Sequence, residues 1–299
     1  MSSYPRVSFF LMIYNNEPFI KKALTTAFAQ DYPNLQIVIS DDCSTDGTRA
    51  IIEAEVAAYD GPHDVVVNFN EKNLLFTHLT KIMGLCDGEF IVQGHGDDMS
   101  HPDRTRKMVE AWQTTGADIV TANALVVDGD DKPQRFWRDP NLHYDCSLET
   151  FVRDLAVVAA FGAGMAWSKR LWETWGKLPP GPRQMDLVWA FRGCLMGGCH
   201  FITEPLVFYR DHGTNMSMWS MRKQAKNEQQ LLMVNERNVG NVAANLVAFI
   251  DMVQAHLGRH PEDIAARKAL TPMIQQLLGV TGQWTRMRHE MAVQRIGVI

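Results

Sequence analysis

Four short apolar runs, at residues 7–14, 35–40, 64–69 and 89–93, alternate with segments whose apolar residues recur every three or four positions. The first runs are continuous rather than alternating, as expected for strands covered on both faces. Between them, Phe19-Ile20, Ala23-Leu24 and Ala27-Phe28 repeat at helical spacing, and Ile51, Ile52 and Val56 do the same. Strand–helix alternation at this spacing predicts βαβ units and a largely parallel sheet, an α/β fold. No G-x-G-x-x-G follows the first strand and no P-loop occurs, which argues against a dinucleotide cofactor.

Within these units, Pro18 suits a helix start, Asp31-Tyr32-Pro33-Asn34 a turn, and residues 44–48 a helix N-cap. Residues 74–85 read as a helix stopped by Asp87-Gly88. Further on, the pattern predicts helices over 103–115, 148–160, 169–175 and 185–196, and strands over 117–127, 162–168 and 201–210. A polar loop, 128–146, carries Phe136, Trp137 and Tyr144, and prolines break the chain at 179–182. After Trp219 the character changes: Leu231, Val234, Asn238, Val242, Leu246, Ile250 and Val253 step as one face of a helix. Pro261 interrupts it, and 265–295 reads as a second helix. The expected organisation is a catalytic unit over 1–220 and a helical extension over 221–299.

The composition is that of a soluble globular protein, with 46% hydrophobic and 21% charged residues. A net charge of −5 and a pI near 6.1 speak against nucleic acid as a partner. The apolar run Phe9–Ile13 is cut short by Asn15, Asn16 and Glu17, so no signal peptide is expected. No run reaches the ~20 apolar residues of a membrane span. The expected location is cytoplasmic, free or peripheral at a membrane, with Arg286, Arg288 and Arg295 as candidates to meet lipid headgroups or simply a solvated helix face. Cys43, Cys86, Cys146, Cys194 and Cys199 form no C-x-x-C pair and read as reduced thiols.

The chemistry gathers at two strand ends. Strand 35–40 runs into Asp41-Asp42, and the 89–93 strand into Gly94-His95-Gly96-Asp97-Asp98. Ligands of open α/β sheets bind outside the carboxyl ends of strands. Two unit charges ~4 Å apart interact by about 4 kcal/mol at an effective dielectric of 20. A divalent cation reverses that repulsion and lets acidic residues hold a diphosphate.

Tyr14-Asn15-Asn16-Glu17, the segment Gln30 to Asn34, and the segment Asp41 to Gly47 together resemble the N-terminal signature of family 2 glycosyltransferases of the GT-A fold. Gly96-Asp97-Asp98 resembles that family's acidic metal motif, and Glu204 to His212 its closing strand with a Tyr-Arg-x-His end. The likeness runs over about residues 5–217. It implies an inverting transfer of a sugar from a nucleotide diphosphate donor to a saccharide or lipid-linked glycan. Donor contacts are implied for Tyr14, Asn16, Asp41, Asp42, Asp97 and Arg210, with Arg210 helping to neutralise the diphosphate. Asp98 and His212 are the implied ligands of Mn²⁺ or Mg²⁺. Asp186, opening its helix after Gln184-Met185, is the implied base. The chain departs from the family's Asp-x-Asp-Asp pattern at His95, and has a single acid, Met185-Asp186, where a pair is usual.

Plainer roles exist for the same residues. Asp41-Asp42 could cap the next helix, Asp186 could be a first-turn acid, and His212 a surface hydrogen-bonding group. Trp137, Trp167, Trp172, Trp175, Trp189 and Trp219 could stack on sugars, or pack. Two other functions fit an acidic α/β site: a sugar-phosphate nucleotidyltransferase, and a non-catalytic nucleotide-binding scaffold. The first wants a glycine-rich basic loop after strand one, where this chain has Tyr14-Asn-Asn-Glu-Pro-Phe19.

Overall fold

A computed structural model of the chain describes residues 4–154, 159–178, 184–212, 215 and 228–296. In chain order the first half holds β1 (Val7–Ile13), α1 (Ile20–Phe28), β2 (Leu35–Asp41), α2 (Thr48–Ala57), β3 (Asp64–Phe69), α3 (His78–Met83), β4 (Phe90–His95), β5 (Met99–Ser100) and α4 (Arg104–Thr115). The second half holds β6 (Ile119–Val127), β7 (Pro133–Phe136), α5 (Leu148–Asp154), β8 (Met165–Ser168), α6 (Lys169–Trp175), α7 (Met185–Cys194), β9 (Cys199–Arg210), α8 (Glu228–Arg259) and α9 (Ile264–Ile296). The expected break at 179–182, the boundary near 220 and Trp219 lie outside the described residues, as do 155–158 of the expected 148–160 helix.

The sheet runs β3-β2-β1-β4-β8-β6-β9-β5, with β7 on β6. Strands β3, β2, β1 and β4 are mutually parallel, and β6 and β9 are parallel to each other. Only β8, β5 and β7 run against their neighbours, so the sheet is mixed but largely parallel. Both faces are covered, which explains the continuous apolar runs. Along β1, Val7, Phe9, Leu11 and Ile13 pack into one core with α1, Ile52 of α2, and Met108 and Val109 of α4. Phe10 of the same strand faces the other core, with α3, α5, α6 and α7. The period of two holds again in β4, where Phe90 and Val92 face the first core and Ile91 the second.

Local departures have physical causes. The expected 74–85 helix opens with a 3₁₀ turn, Leu75–Thr77, entered through Leu75 at φ 50°. That left-handed residue is held because its amide donates to both Asn73 and Asp42. The 128–146 loop contains the short edge strand β7, and Pro133 is tolerated there because an edge leaves amides unpaired.

The helical extension joins the main core. Leu246, Phe249, Met252 and Val253 of α8, and Ala266, Ala269 and Met273 of α9, share one buried cluster with α5 and α7. Phe249 lies 4.4 Å from Phe191 and 5.2 Å from Phe151, ring centre to ring centre. Among the described residues, no helix is long and apolar enough to cross a membrane. Phe249→Ala is expected to cost about 3–5 kcal/mol. Denaturant unfolding followed by circular dichroism and tryptophan fluorescence should show one coincident, shifted transition; separate transitions would contradict the shared core.

Candidate active site

The strand order reverses between β1 and β4, because β2 and β3 continue to one side of β1 and β4 lies on the other. A crevice opens at such a point, outside the carboxyl ends of the two strands. The segments 14–17 and 96–98 therefore face each other. They approach closely: a Cβ on Gly96 would stand 2.5 Å from Asn16 Oδ1. A larger residue there would have to displace the Asn16 side chain, which accounts for one glycine of the Gly-His-Gly-Asp-Asp run.

The loop after β1 is laced to the loop after β2. Asn15, at φ 51°, donates its amide to Ser44 Oγ at 2.8 Å and accepts the Thr45 amide on Oδ1 at 2.8 Å. The Asn16 amide donates to Thr48 Oγ1 at 2.8 Å, and Glu17 accepts the Gly47 amide at 2.8 Å. Asp46 accepts the Thr48 amide at 3.0 Å, so the expected capping function of this segment falls on Asp46. Asn16 Oδ1 also accepts the Tyr14 amide, while the Tyr14 side chain is 47% exposed at the mouth.

Asp41 and Asp42 are both buried, with different tasks. Asp41 accepts the amide and hydroxyl of Ser44, turning the chain at the end of β2. Asp42 accepts the amides of Leu74 (2.8 Å) and Leu75 (3.0 Å) and the Asn70 side chain (2.8 Å). Its carboxylate thus fixes the 70–75 turn beside the crevice. His78 stands 3.9 Å from it, and burial, outweighing the charges of Asp42 and Asp41, pushes the imidazole pKa down.

At the end of β4, Asp98 accepts the Arg210 backbone amide at 2.9 Å, and its other oxygen lies 3.6 Å from His95 Nδ1. Asp97 points to His212, 3.2 Å from Nε2. Burial and then the charge of Asp97 push the Asp98 carboxyl up. Burial also acts on Asp97, but the hydrogen bond from His212 and the charge of His95 prevail and hold it below the usual carboxylate range. For His95, burial opposes the imidazolium, and the hydrogen bond and charge of Asp98 overcome it and raise the pKa. The two carboxylates are thus inequivalent, Asp97 held down and Asp98 pushed up.

Arg210 is 1% exposed. Its guanidinium donates to the Asp97 carbonyl and to Asp131, and lies 4.6 Å over the Phe19 ring. Phe19 also packs against the His212 ring at 4.7 Å. Lys22 binds Asp131 as well, so this carboxylate gathers both cations and stays ionised. The guanidinium therefore braces the Asp97 backbone in this structure rather than opening into the crevice.

Asp186 enters from the opposite side. At the start of α7 it accepts the Leu187 amide at 3.2 Å and faces Gly162, in the 3₁₀ turn Gly162–Gly164 before β8. Gln93 of β4 comes to the same glycine, and its amide lies 3.1 Å from His95 Nε2. Burial pushes the Asp186 carboxyl up; the Leu187 and Gly162 amides and the charge of His95 offset part of that. His95 is therefore the common neighbour of the acid pair and of Asp186.

The structure brings Asn16, Asp97, Asp98, His212 and Asp186 around one strand end. Trp167 and Trp189 stack in the core, 5.3 Å apart, whereas Trp137 stacks on Phe161 next to Gly162. Sequence reasoning passed over Asp131, Phe19 and Gln93. Asp131 sits in an acid-rich turn, Asp128 to Asp131, which looks like any solvated loop; nothing in it signals a partner 79 positions away. Gln93 was visible only as a polar residue ending an apolar run.

The family described as glycosyl transferase family 2 matches residues 8–174. The succinoglycan biosynthesis protein ExoO of Rhizobium meliloti (strain 1021) is 30% identical over 138 residues, 46% of this chain and 38% of that protein. This chain thus spans about two fifths of that relative's length. Among solved structures, S. aureus TarS 1–349 with UDP-GlcNAc superposes with a TM-score of 0.56 at 15% identity, covering 94% of this chain and 92% of that one. Mannosyltransferase PcManGT of Pyrobaculum calidifontis, with GDP-Man and Mn²⁺, gives 0.56 at 18% identity, covering 99% and 87%. The family match takes in more than half of the 299 residues and both acid-bearing strand ends, so the chain belongs to glycosyl transferase family 2, and its fold is GT-A.

Proposed function

We propose that the chain is a metal-dependent, inverting glycosyltransferase that moves a sugar from a nucleotide diphosphate to a hydroxyl of a saccharide or lipid-linked glycan, at the cytoplasmic side. A UDP-sugar is the favoured donor and a dTDP-sugar the second. TarS was solved with UDP-GlcNAc and PcManGT with GDP-Man, and ExoO is named for polysaccharide synthesis; these support the substrate class. The observation that carries the reading is the placement of Asp186 across β4 from the Asp97–Asp98 pair, with His95 next to both.

The donor set fits Mn²⁺ or Mg²⁺. Asp98 offers hard oxygen ligands and His212 a nitrogen. Among the described residues no group of three or more such side chains is spaced to hold an ion unaided. An ion held by one or two carboxylates and completed by diphosphate oxygens matches that arrangement. When bound, it would neutralise charge on the leaving diphosphate and relieve the repulsion that pushes Asp98 up.

The remaining roles belong to the chain. Tyr14, Asn16, Asp41 and Asp42 form the wall for the nucleoside, Asp42 through the 70–75 turn that it fixes. Asp97 faces the ribose side, and Arg210 holds the backbone beneath it. Asp186 accepts the proton of the acceptor hydroxyl as that oxygen bonds to the anomeric carbon. The bond from that carbon to the diphosphate breaks on the opposite face, so a single displacement inverts the centre.

Asp186→Asn should lower turnover about 10²–10⁴-fold while nucleotide affinity is kept, measured as nucleoside diphosphate release. Unchanged turnover would remove Asp186 as the base, and pyrophosphate release would point to nucleotidyl transfer instead. The raised pKa of Asp186 places the acid limb of the kcat–pH profile above the ordinary carboxylate range, because the base works only when ionised. The same carboxyl stabilises the fold while protonated, below its unfolded pKa, and that contribution fades as pH rises through its folded value. Chelation of divalent ions should abolish turnover, with Mn²⁺ restoring it in the wild type but not at equal concentration in Asp98→Asn. Full activity in chelator would defeat the metal assignment.

A further inference from the structure

Among the described residues, the α7–α8 contact has one polar rung, and it lies at the catalytic end. Gln184 and Phe191 are seven positions apart, on one face of α7 and its N-cap; Asn245 and Phe249 are four apart on α8. Phe191 packs on Phe249, and Asn245 Nδ2 donates to Gln184 Oε1 at 3.0 Å. Gln184 immediately precedes the helix whose first turn presents Asp186. Asn245 is 2% exposed, and among the described residues its Oδ1 has no hydrogen-bond partner. Burying an unsatisfied amide oxygen is destabilising. An apolar residue of the same size would serve the core better, so packing does not explain an asparagine here.

We propose that Asn245 is a positioning residue: through Gln184 it fixes the first turn of α7, and with it the direction of Asp186, making α8 a working part of the acceptor side. This rests on Asp186 being the base. A helix N-terminus tied on one side only to apolar contacts can slide or rotate slightly, whereas a directional hydrogen bond sets both rotation and depth. Misplacement by about 1 Å can cost ~100-fold in rate.

The test uses the full chain with Mn²⁺ and three donors, UDP-GlcNAc, UDP-glucose and GDP-mannose, reading nucleoside diphosphate release to water or to added octyl glycosides. For the donor turned over, Asn245→Leu should keep or raise Tm, leave donor KM within about twofold, and lower kcat by ~10-fold or more. Gln184→Leu, at a part-exposed position, should lower kcat equally, and the double variant no further, since both remove one interaction. A variant with wild-type kcat in a folded protein, or additive losses in the double variant, would overturn the proposal. A drop in Tm for Asn245→Leu, with Gln184→Leu fully active, would mean a merely structural asparagine. Asp186→Asn run alongside separates the two readings: if it stays active the base assignment fails, and if it is dead while Asn245→Leu is not, only this inference fails.

Discussion

Two adjacent carboxylates, taken out of water at the end of one strand, are what the rest of this site is arranged around. Neither is free: Asp98 accepts the Arg210 amide, and Asp97 faces the His212 ring. The closing strand β9 therefore does more than complete the sheet. Its last residue supplies the amide for one acid through its backbone, and braces the carbonyl of the other through its side chain. Asp98 is buried and Asp97 part-buried, and the result is inequivalence, with the Asp97 pKa held down by His212 and His95 and the Asp98 pKa pushed up by burial and by Asp97.

The pattern of residues made the scaffold readable, and the reason is local. Continuous apolar runs mark strands covered on both faces, and β1, β2, β3 and β4 fall at or within a residue or two of where those runs lie. The strand ends followed, because glycines and paired acids stand out against such runs. Pairings across long distances in the chain did not follow. Asp131 reaches Arg210 from an ordinary polar turn, and Asp42 ties down the 70–75 segment instead of standing open at the strand end. Periodicity says that α8 has an apolar face; it does not say that this face meets Phe151 and Phe191. The segment that looked like an appendage from its composition is packed into the main core for that reason.

The two halves of the crevice are built differently. One half rests on the 14–17 and 43–48 loops, whose hydrogen bonds join segments about 30 positions apart and whose residues carry the family signature. The opposite half is assembled from β8 with its preceding 3₁₀ turn, α7 and α8, parts drawn from more than 80 positions of chain. Its polar contacts are few, and they join side chains that no short motif connects. The first half is thus built from contacts between two loops, and the surroundings of Asp186 depend on tertiary packing.

One side chain spans the join. Arg104 is fully buried and donates to the Gln93 carbonyl at 2.6 Å, the Ala163 carbonyl at 2.9 Å and Ser100 Oγ at 3.0 Å. These are the end of β4, the turn that faces Asp186, and the strand that follows Asp98. Its Nε has no partner, and among the described residues it makes no ion pair. Burial lowers its pKa to about 9, against the pull of the Asp98 charge. A buried guanidinium satisfied mainly by carbonyls is an expensive way to join three segments. Part of that cost is offset because Asp98 is near and its negative charge favours the charged guanidinium. The hydrogen bonds of Arg104 fix the end of β4 and β5 against the turn that faces Asp186.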